Sequence, residues 1–168
     1  MINKWQITIP ELSGEEKRNV YLYLPESYSY EQEKRYPVLY MFDGHNVFFD
    51  SDATYGKCWG MKEYMDRTGR QLIIVAVECS HDPDNGRLKE YSPFSFTAPN
   101  TAIYMDYGAN EINFHVVMRK QFRKVTDLLL SRDVLLTSRI VPNGDHCEAC
   151  WEKQIPYFMD ALFYPETR

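Results

Sequence analysis

The chain has no apolar run long enough to span a bilayer, so nothing in its 168 residues reads as a transmembrane helix. Its opening, MINKWQITIPEL, alternates polar and apolar residues and lacks the apolar core of a secretory signal. A cytoplasmic protein is therefore expected. Cysteine is sparse, at four residues, and in that compartment these should stay reduced. An excess of positive charge is missing as well: 19 Lys and Arg face 24 Asp and Glu, for a net charge of −5. That balance excludes nucleic acid and an anionic membrane as main partners. Glycine is scarce, at 8 residues, and there is no repeat or low-complexity tract.

What is present is an ordinary globular composition, 44% apolar and 26% charged, rich in aromatics with 13 Tyr, 9 Phe and 3 Trp. Strands are expected where apolar residues alternate, at Trp5, Ile7 and Ile9 and again at Val20, Leu22 and Leu24. Charged ELSGEEKR between them reads as a hairpin turn. The unbroken runs 38–42 (VLYMF) and 72–78 (LIIVAVE) suit strands covered on both faces. A helix over roughly 57–68 lies between them, which makes a βαβ unit with a parallel pair. Residues 79–100, with three prolines and no period, read as a long loop. Then follow a strand at 102–106 and a helix at about 113–131 with Met118, Phe122, Val125 and Leu129 on one face. A strand at 137–141 and a helix at 147–163 interrupted at Pro156 close the order. One domain is expected over 1–168.

Candidate chemistry gathers in three places. His146 sits just past a strand, on a glycine-containing loop, at the start of a helix. Glu111 lies in the corresponding loop of the preceding strand–helix unit, at the sheet edge where open α/β sheets place their sites. A carboxylate there can hold a histidine in the tautomer needed for proton shuttling. Asp145 and Asp106 compete for that role. The third place is DGHNVFF, 43–49, where Gly44 allows close backbone approach and loop N–H groups can stabilise an oxyanion. A plain strand-to-helix turn capped by Asp43 is the simpler account of that stretch taken alone. Cys147 and Cys150 form a CxxC beside His146, but both lie on the apolar stripe of a helix and suit small buried hydrophobes. Cys58 and Cys79 stand alone, so a four-ligand zinc site lacks its second pair. No metal and no cofactor is expected. The basic run RKQFRK, 119–124, is a solvated helix face.

Together these pieces resemble the Putative esterase family of α/β hydrolases, which includes enterochelin esterase-like proteins, feruloyl esterases and mycolyltransferases. The stretches are RNVYLYLPESY, YPVLYMFDGHNVF, the Trp of GKCWG, LIIVAVECS with GRLKEYSPF, IYMDYGANE and IVPNGDHCEACW. The resemblance implies a three-layer α/β fold and a serine esterase acting on a small-molecule ester. It matches His146 to the catalytic histidine, Glu111 to the triad acid, His45 to the position whose backbone N–H forms half of the oxyanion hole, and Trp59 to a tryptophan near the site. One departure is large. The family's nucleophile is a serine in a G-x-S-x-G elbow, and this chain contains no such motif. The strand–helix units around it would need roughly a hundred residues, and the seam falls near 99–101. Ser92, Ser95 and Thr97 are the nearest hydroxyls along the chain, and none lies on an elbow.

By resemblance the family sheet runs 1-2-4-3-5-6-7-8, and strands 5 and 6 are missing here. The expectation is a truncated α/β hydrolase with a mostly parallel sheet of about six strands, in which 102–106 pairs directly with 38–42. Pairing with a second chain through exposed sheet edges is the other remedy for edges left bare. The functional expectation is a carboxylic-ester hydrolase by descent with its activity lost. The alternatives are a non-catalytic small-molecule or carbohydrate-binding module and a CxxC metal or thiol protein.

Overall fold

A computed structural model describes residues 1–83, 86–90, 102–111, 115–132 and 134–163. The chain divides into two compact units, Met1–Ser92 and Pro93–Arg168. The seam at 99–101 and the hydroxyls of Ser92, Ser95 and Thr97 lie outside the described residues.

The first unit is built on a four-stranded sheet in the order β1-β2-β4-β3. Its strands are β1 (Ile2–Ile7), β2 (Arg18–Tyr23), β3 (Val38–Met41) and β4 (Ile73–Val77). β1 and β2 run antiparallel, as do β2 and β4, whereas β3 lies parallel to β4 with Met41 opposite Ala76. The parallel pair is the one the βαβ pattern predicts, and the order is that implied for the first four strands. The burial faces differ from the expectation. In β2 both faces are covered: Val20 is buried on one, and Tyr21 and Tyr23 are buried on the other against Phe48. Trp5 of the outermost strand β1 is exposed. β3 is covered on one face, with Leu39 buried while Tyr40 and the following Phe42 are 73% and 68% exposed. An all-apolar stretch of five residues carries no alternation, so it cannot distinguish one-sided from two-sided burial.

Helices in this unit also shift from their expected bounds. ELSGEEKR does not form a plain hairpin turn, because Pro10–Ser13 winds one helical turn, α1, with proline in its first turn. Helix α2 spans Met61–Thr68 and starts later than residue 57. The four residues before it are held as a loop, Cys58 N–H donating to Asp50 Oδ1 (2.8 Å) and Trp59 N–H to the Asn46 carbonyl (2.7 Å). Within the stretch expected to be structureless, Gly86–Glu90 forms a short helix, α3. It is anchored by Glu90, whose carboxylate pairs with Arg18 and accepts the Ser80 N–H (2.9 Å). Arg18 is 1% exposed and also meets Glu16 at 3.5 Å. Glu16 in turn accepts from Ser80 Oγ and from the His81 N–H, both at 2.7 Å. The interior charge of β2 thus fixes the chain that leaves β4.

The second unit holds β5 (Ala102–Gly108) and β6 (Leu135–Val141), a parallel pair with Gly108 opposite Val141. Helix α4 (His115–Leu130) connects them and α5 (Glu148–Phe163) follows. Phe122 of α4 packs edge-on against Tyr107 at 5.0 Å, and residues 119–121, 123 and 124 are exposed as the basic run predicts. Val125 is exposed rather than facing inward. α5 buries Ile155 and Met159 and runs through Pro156 without a break. Proline there has no N–H to offer the carbonyl one turn earlier, and the helix continues across it.

These strands correct the expectation of one six-stranded sheet. Residues 102–108 take 135–141 as their partner, and 38–41 pair with 73–77 in a separate sheet, so among the described residues β5 is not bonded to β3. Among the described residues each of the two strands is paired along one edge, by a strand of its own unit.

Two glycine approaches set the loops beyond the strand ends. A Cβ on Gly44 would lie 2.7 Å from the Ala76 carbonyl carbon and 2.8 Å from its oxygen, so the turn after β3 rests directly on the backbone of β4. In the second unit Gly108 and Gly144 cross. A Cβ on Gly108 would stand 2.3 Å from the Gly144 oxygen, and one on Gly144 would stand 2.9 Å from the Gly108 Cα. The crossing is bonded on both sides, Ala109 N–H to the Val141 carbonyl and Asn110 N–H to the Gly144 carbonyl, each at 2.9 Å.

Two stability outcomes follow. Arg18→Met should cost about 3–5 kcal/mol, the range for stranding a buried charge, because Glu90 keeps its carboxylate inside without its cation; urea titration measures this. Gly108→Ala should cost about 1–3 kcal/mol, the range for overpacking, since both nearest atoms belong to backbone. In the same variant the ring-nitrogen NMR shifts of His146 should lose the signature of a bonded Nδ1. A Gly108→Ala protein with unchanged stability and shifts would show that the crossing constrains nothing.

Candidate active site

Glu111 stands three residues past the end of β5, and two backbone bonds hold it there. Its own N–H donates to the Gly108 carbonyl (3.2 Å), and its Oε1 accepts the Gly108 N–H at 2.8 Å. The side chain folds back over its own turn, buried at 7% exposure, with Oε2 turned outward. That oxygen meets His146 Nδ1 at 3.3 Å. The separation is long for a hydrogen bond.

His146 follows β6 through the turn Pro142–Asn143–Gly144–Asp145. Asn143 takes a left-handed conformation there, φ 55°. Its ring stands edge-on to Trp151 of α5, with centroids 4.9 Å apart and an interplanar angle of 87°. The side chain is 69% exposed. Glu111 engages Nδ1 and Trp151 braces the ring, so Nε2 is the nitrogen left for exchange with a ligand. Glu111 is the one of the three sequence-predicted carboxylates in contact with this ring. Asp106 instead accepts from Tyr104 Oη at 2.7 Å, and burial raises its carboxyl above the usual range. Asp145 is exposed, and its carbonyl accepts the Cys147 N–H. Cys147 and Cys150 are free thiols, half-buried at the start of α5, and burial pushes the Cys150 thiol up.

In the first unit the DGHN loop leaves β3 through Asp43, which is left-handed at φ 53°, and closes one turn of 3-10 helix over Gly44–Asn46. Strand, left-handed Asp or Asn, then Gly is the device used after both β3 and β6. Asp43 is buried and holds Arg87 of α3 by two contacts, Nε to Oδ1 at 2.9 Å and Nη2 to Oδ2. Gly44 is buried, and its close approach is to β4. His45 is half-buried with Nε2 3.0 Å from Thr54 Oγ1, and burial holds its imidazole below its usual value, which keeps the ring neutral. Trp59 is half-buried and joined to the same loop through its backbone N–H on Asn46. The Asn46 side chain adds a second tie, accepting the Thr54 N–H at 2.9 Å.

Sequence reasoning passed over four participants. Thr54 carries no motif and Arg87 lies in GRLKEYSPF without an assigned role; both become partners only through the loop's fold. Trp151 reads from the sequence as one more core residue of α5. Cys79 reads as an isolated cysteine, yet it is buried beside Asp43 and His45. A signal for it exists: Asp43 and Cys79 each follow a strand of the parallel pair, so both belong to one sheet edge.

The family model described as Putative esterase matches residues 12–111. This stretch contains Gly44, His45, Trp59 and Glu111, and His146 lies beyond it. No curated protein matches the chain. Among solved structures, a ferulic acid esterase aligns at 13% identity with a TM-score of 0.54, covering 96% of this chain and 96% of its own. The BES protein from Bacillus cereus aligns at 11% identity with a TM-score of 0.54, covering 97% of this chain and 95% of its own. At these identities the likeness concerns the fold. No helix among the described residues is long and apolar enough to cross a membrane. With the match running through more than half of its length, the chain belongs to the Putative esterase family and has an esterase-like α/β hydrolase fold.

Proposed function

We propose that the chain is a carboxylic-ester hydrolase by descent that keeps the proton-handling half of an acyl-transfer site and has lost the attacking hydroxyl. The observation that carries this reading is the contact of His146 Nδ1 with the buried Glu111 carboxylate. In a serine esterase Nε2 removes the hydroxyl proton and later returns it to the leaving alcohol, while the acid fixes the tautomer and stabilises the imidazolium. Here Glu111 is the orienting acid and His146 the base. By the family resemblance alone, backbone N–H groups of Gly44 and His45 are assigned to a developing oxyanion, and a substrate contact to Trp59. The ligand is a small-molecule ester, and the setting is cytoplasmic. A base without its nucleophile retains little of the rate, because such groups act as a unit.

The assay is hydrolysis of p-nitrophenyl acetate with intact-mass readout after fluorophosphonate treatment. Turnover should lie about 10⁶-fold below that of an intact serine hydrolase, without a burst of p-nitrophenol and without a phosphonyl adduct. His146→Ala should change the residual rate by no more than about threefold, since removing a second member of a broken triad costs little further. A stoichiometric adduct on any serine would overturn the loss of the nucleophile. A large drop in His146→Ala without an adduct would instead show His146 activating water directly.

A further inference from the structure

We propose that Asp43, His45 and Cys79 form a binding site for one divalent transition-metal ion of the zinc class. The three residues offer a carboxylate oxygen, an imidazole nitrogen and a sulfur, all within 4.8 Å of one another. Asp43 and Cys79 are buried, and His45 is half-buried. Parallel pairing creates the cluster: Met41 lies opposite Ala76, so the residues that leave β3 and β4 emerge at one edge.

The donor set narrows the ion. Calcium and magnesium select oxygen ligands, whereas thiolate with imidazole and one carboxylate suits zinc and its neighbours. Donor atoms on a tetrahedral zinc stand about 3.5 Å apart for bonds of about 2.0–2.3 Å. The donors here lie within 4.8 Å of one another, so binding draws the three side chains inward. Three protein ligands leave a fourth position for water.

A second observation points the same way. His45 Nδ1 is buried and has no hydrogen-bond partner among the described residues. Buried ring nitrogens are rarely left so. The contact between Nε2 and Thr54 Oγ1 allows either atom to donate; a ring that donates from Nε2–H carries its lone pair on Nδ1, the tautomer a metal requires. The Cys79 thiol donates to Asp43, and burial with the Asp43 charge pushes that thiol up to about 11. On binding, the sulfur–metal bond replaces the sulfur–hydrogen bond, and one proton leaves to solvent for each ion taken up. Arg87 competes for Asp43. Its side chain is 53% exposed, so it can yield one carboxylate oxygen and keep the other without being stranded in the interior. The site shares His45 with the loop assigned to the oxyanion, but it uses the imidazole and not the backbone N–H.

The test uses the metal-free full chain under reducing conditions, titrated with Co²⁺ and followed by thiolate-to-cobalt charge-transfer absorption. Zinc stoichiometry after dialysis is measured in parallel. One ion per chain with a charge-transfer band is expected. Cys79→Ser should abolish the band, and Thr54→Val, which frees the His45 ring without touching a ligand, should weaken binding about 10–100-fold. The double variant Cys147→Ser/Cys150→Ser should bind as the unchanged chain does. Circular dichroism checks each fold. If Cys79→Ser does not fold, Thr54→Val and the double variant decide. No band in the unchanged chain, or a band lost only with Cys147 and Cys150, overturns the site.

Discussion

Gly108 and Gly144 touch backbone to backbone, and the geometry of the second unit hangs on that crossing. Two parallel strands end side by side, and the chain leaving each must turn before it enters its helix. Only residues without a Cβ let the two turns interlock at this distance. Once they do, Asn110 bonds to Gly144 and Glu111 curls back on the Gly108 N–H. One carboxylate oxygen is thereby spent on structure and the other is aimed at His146. A carboxylate buried in this way is costly unless its lone pairs are used, and here a backbone donor and an imidazole use them. The pair that resembles half of a catalytic triad is thus a consequence of how two turns stack.

The first unit solves a similar problem by different means. Gly44 lies on the backbone of β4, which presses the turn after β3 against its neighbour. Backbone contact alone would leave the loop's polar groups bare. Asp43 takes Arg87, His45 takes Thr54, and the Asn46 backbone and side chain bind Trp59 and Thr54. The Arg18–Glu90–Glu16 network holds the other side of this edge. A buried ionic cluster of this kind contributes little net stability compared with apolar packing. What it supplies is a fixed path for the chain beyond β4, placing Cys79, Ser80 and His81 where an unrestrained loop would not hold them.

Most of the elements were legible because periodicity and turn residues report on local backbone. The strands at 38–41, 73–77, 102–108 and 135–141 lie where apolar runs predict them, and the parallel pairs follow from strand–helix–strand order. Glu111 and His146 were legible as candidates because each follows a strand. Local signals failed where long-range partners decide. Tyr21 and Tyr23 read as the outer face of β2 and are buried because Phe48 packs on them. The six-stranded sheet was expected from strand count, but counting strands does not select which edges meet. Helix α3 has a weak local signal and exists beside Arg18 and Ser80.

By itself the sequence determined most of the strands and the longer helices, the lack of a G-x-S-x-G motif, and the loops that carry Glu111, His146 and the glycines. It did so because those features depend on residues near one another in the chain. The tertiary structure decided which carboxylate meets His146, which strands share a sheet, and that Asp43, His45 and Cys79 lie together. Each of these depends on atoms brought close by packing across tens of residues, where spacing along the chain carries no distance information.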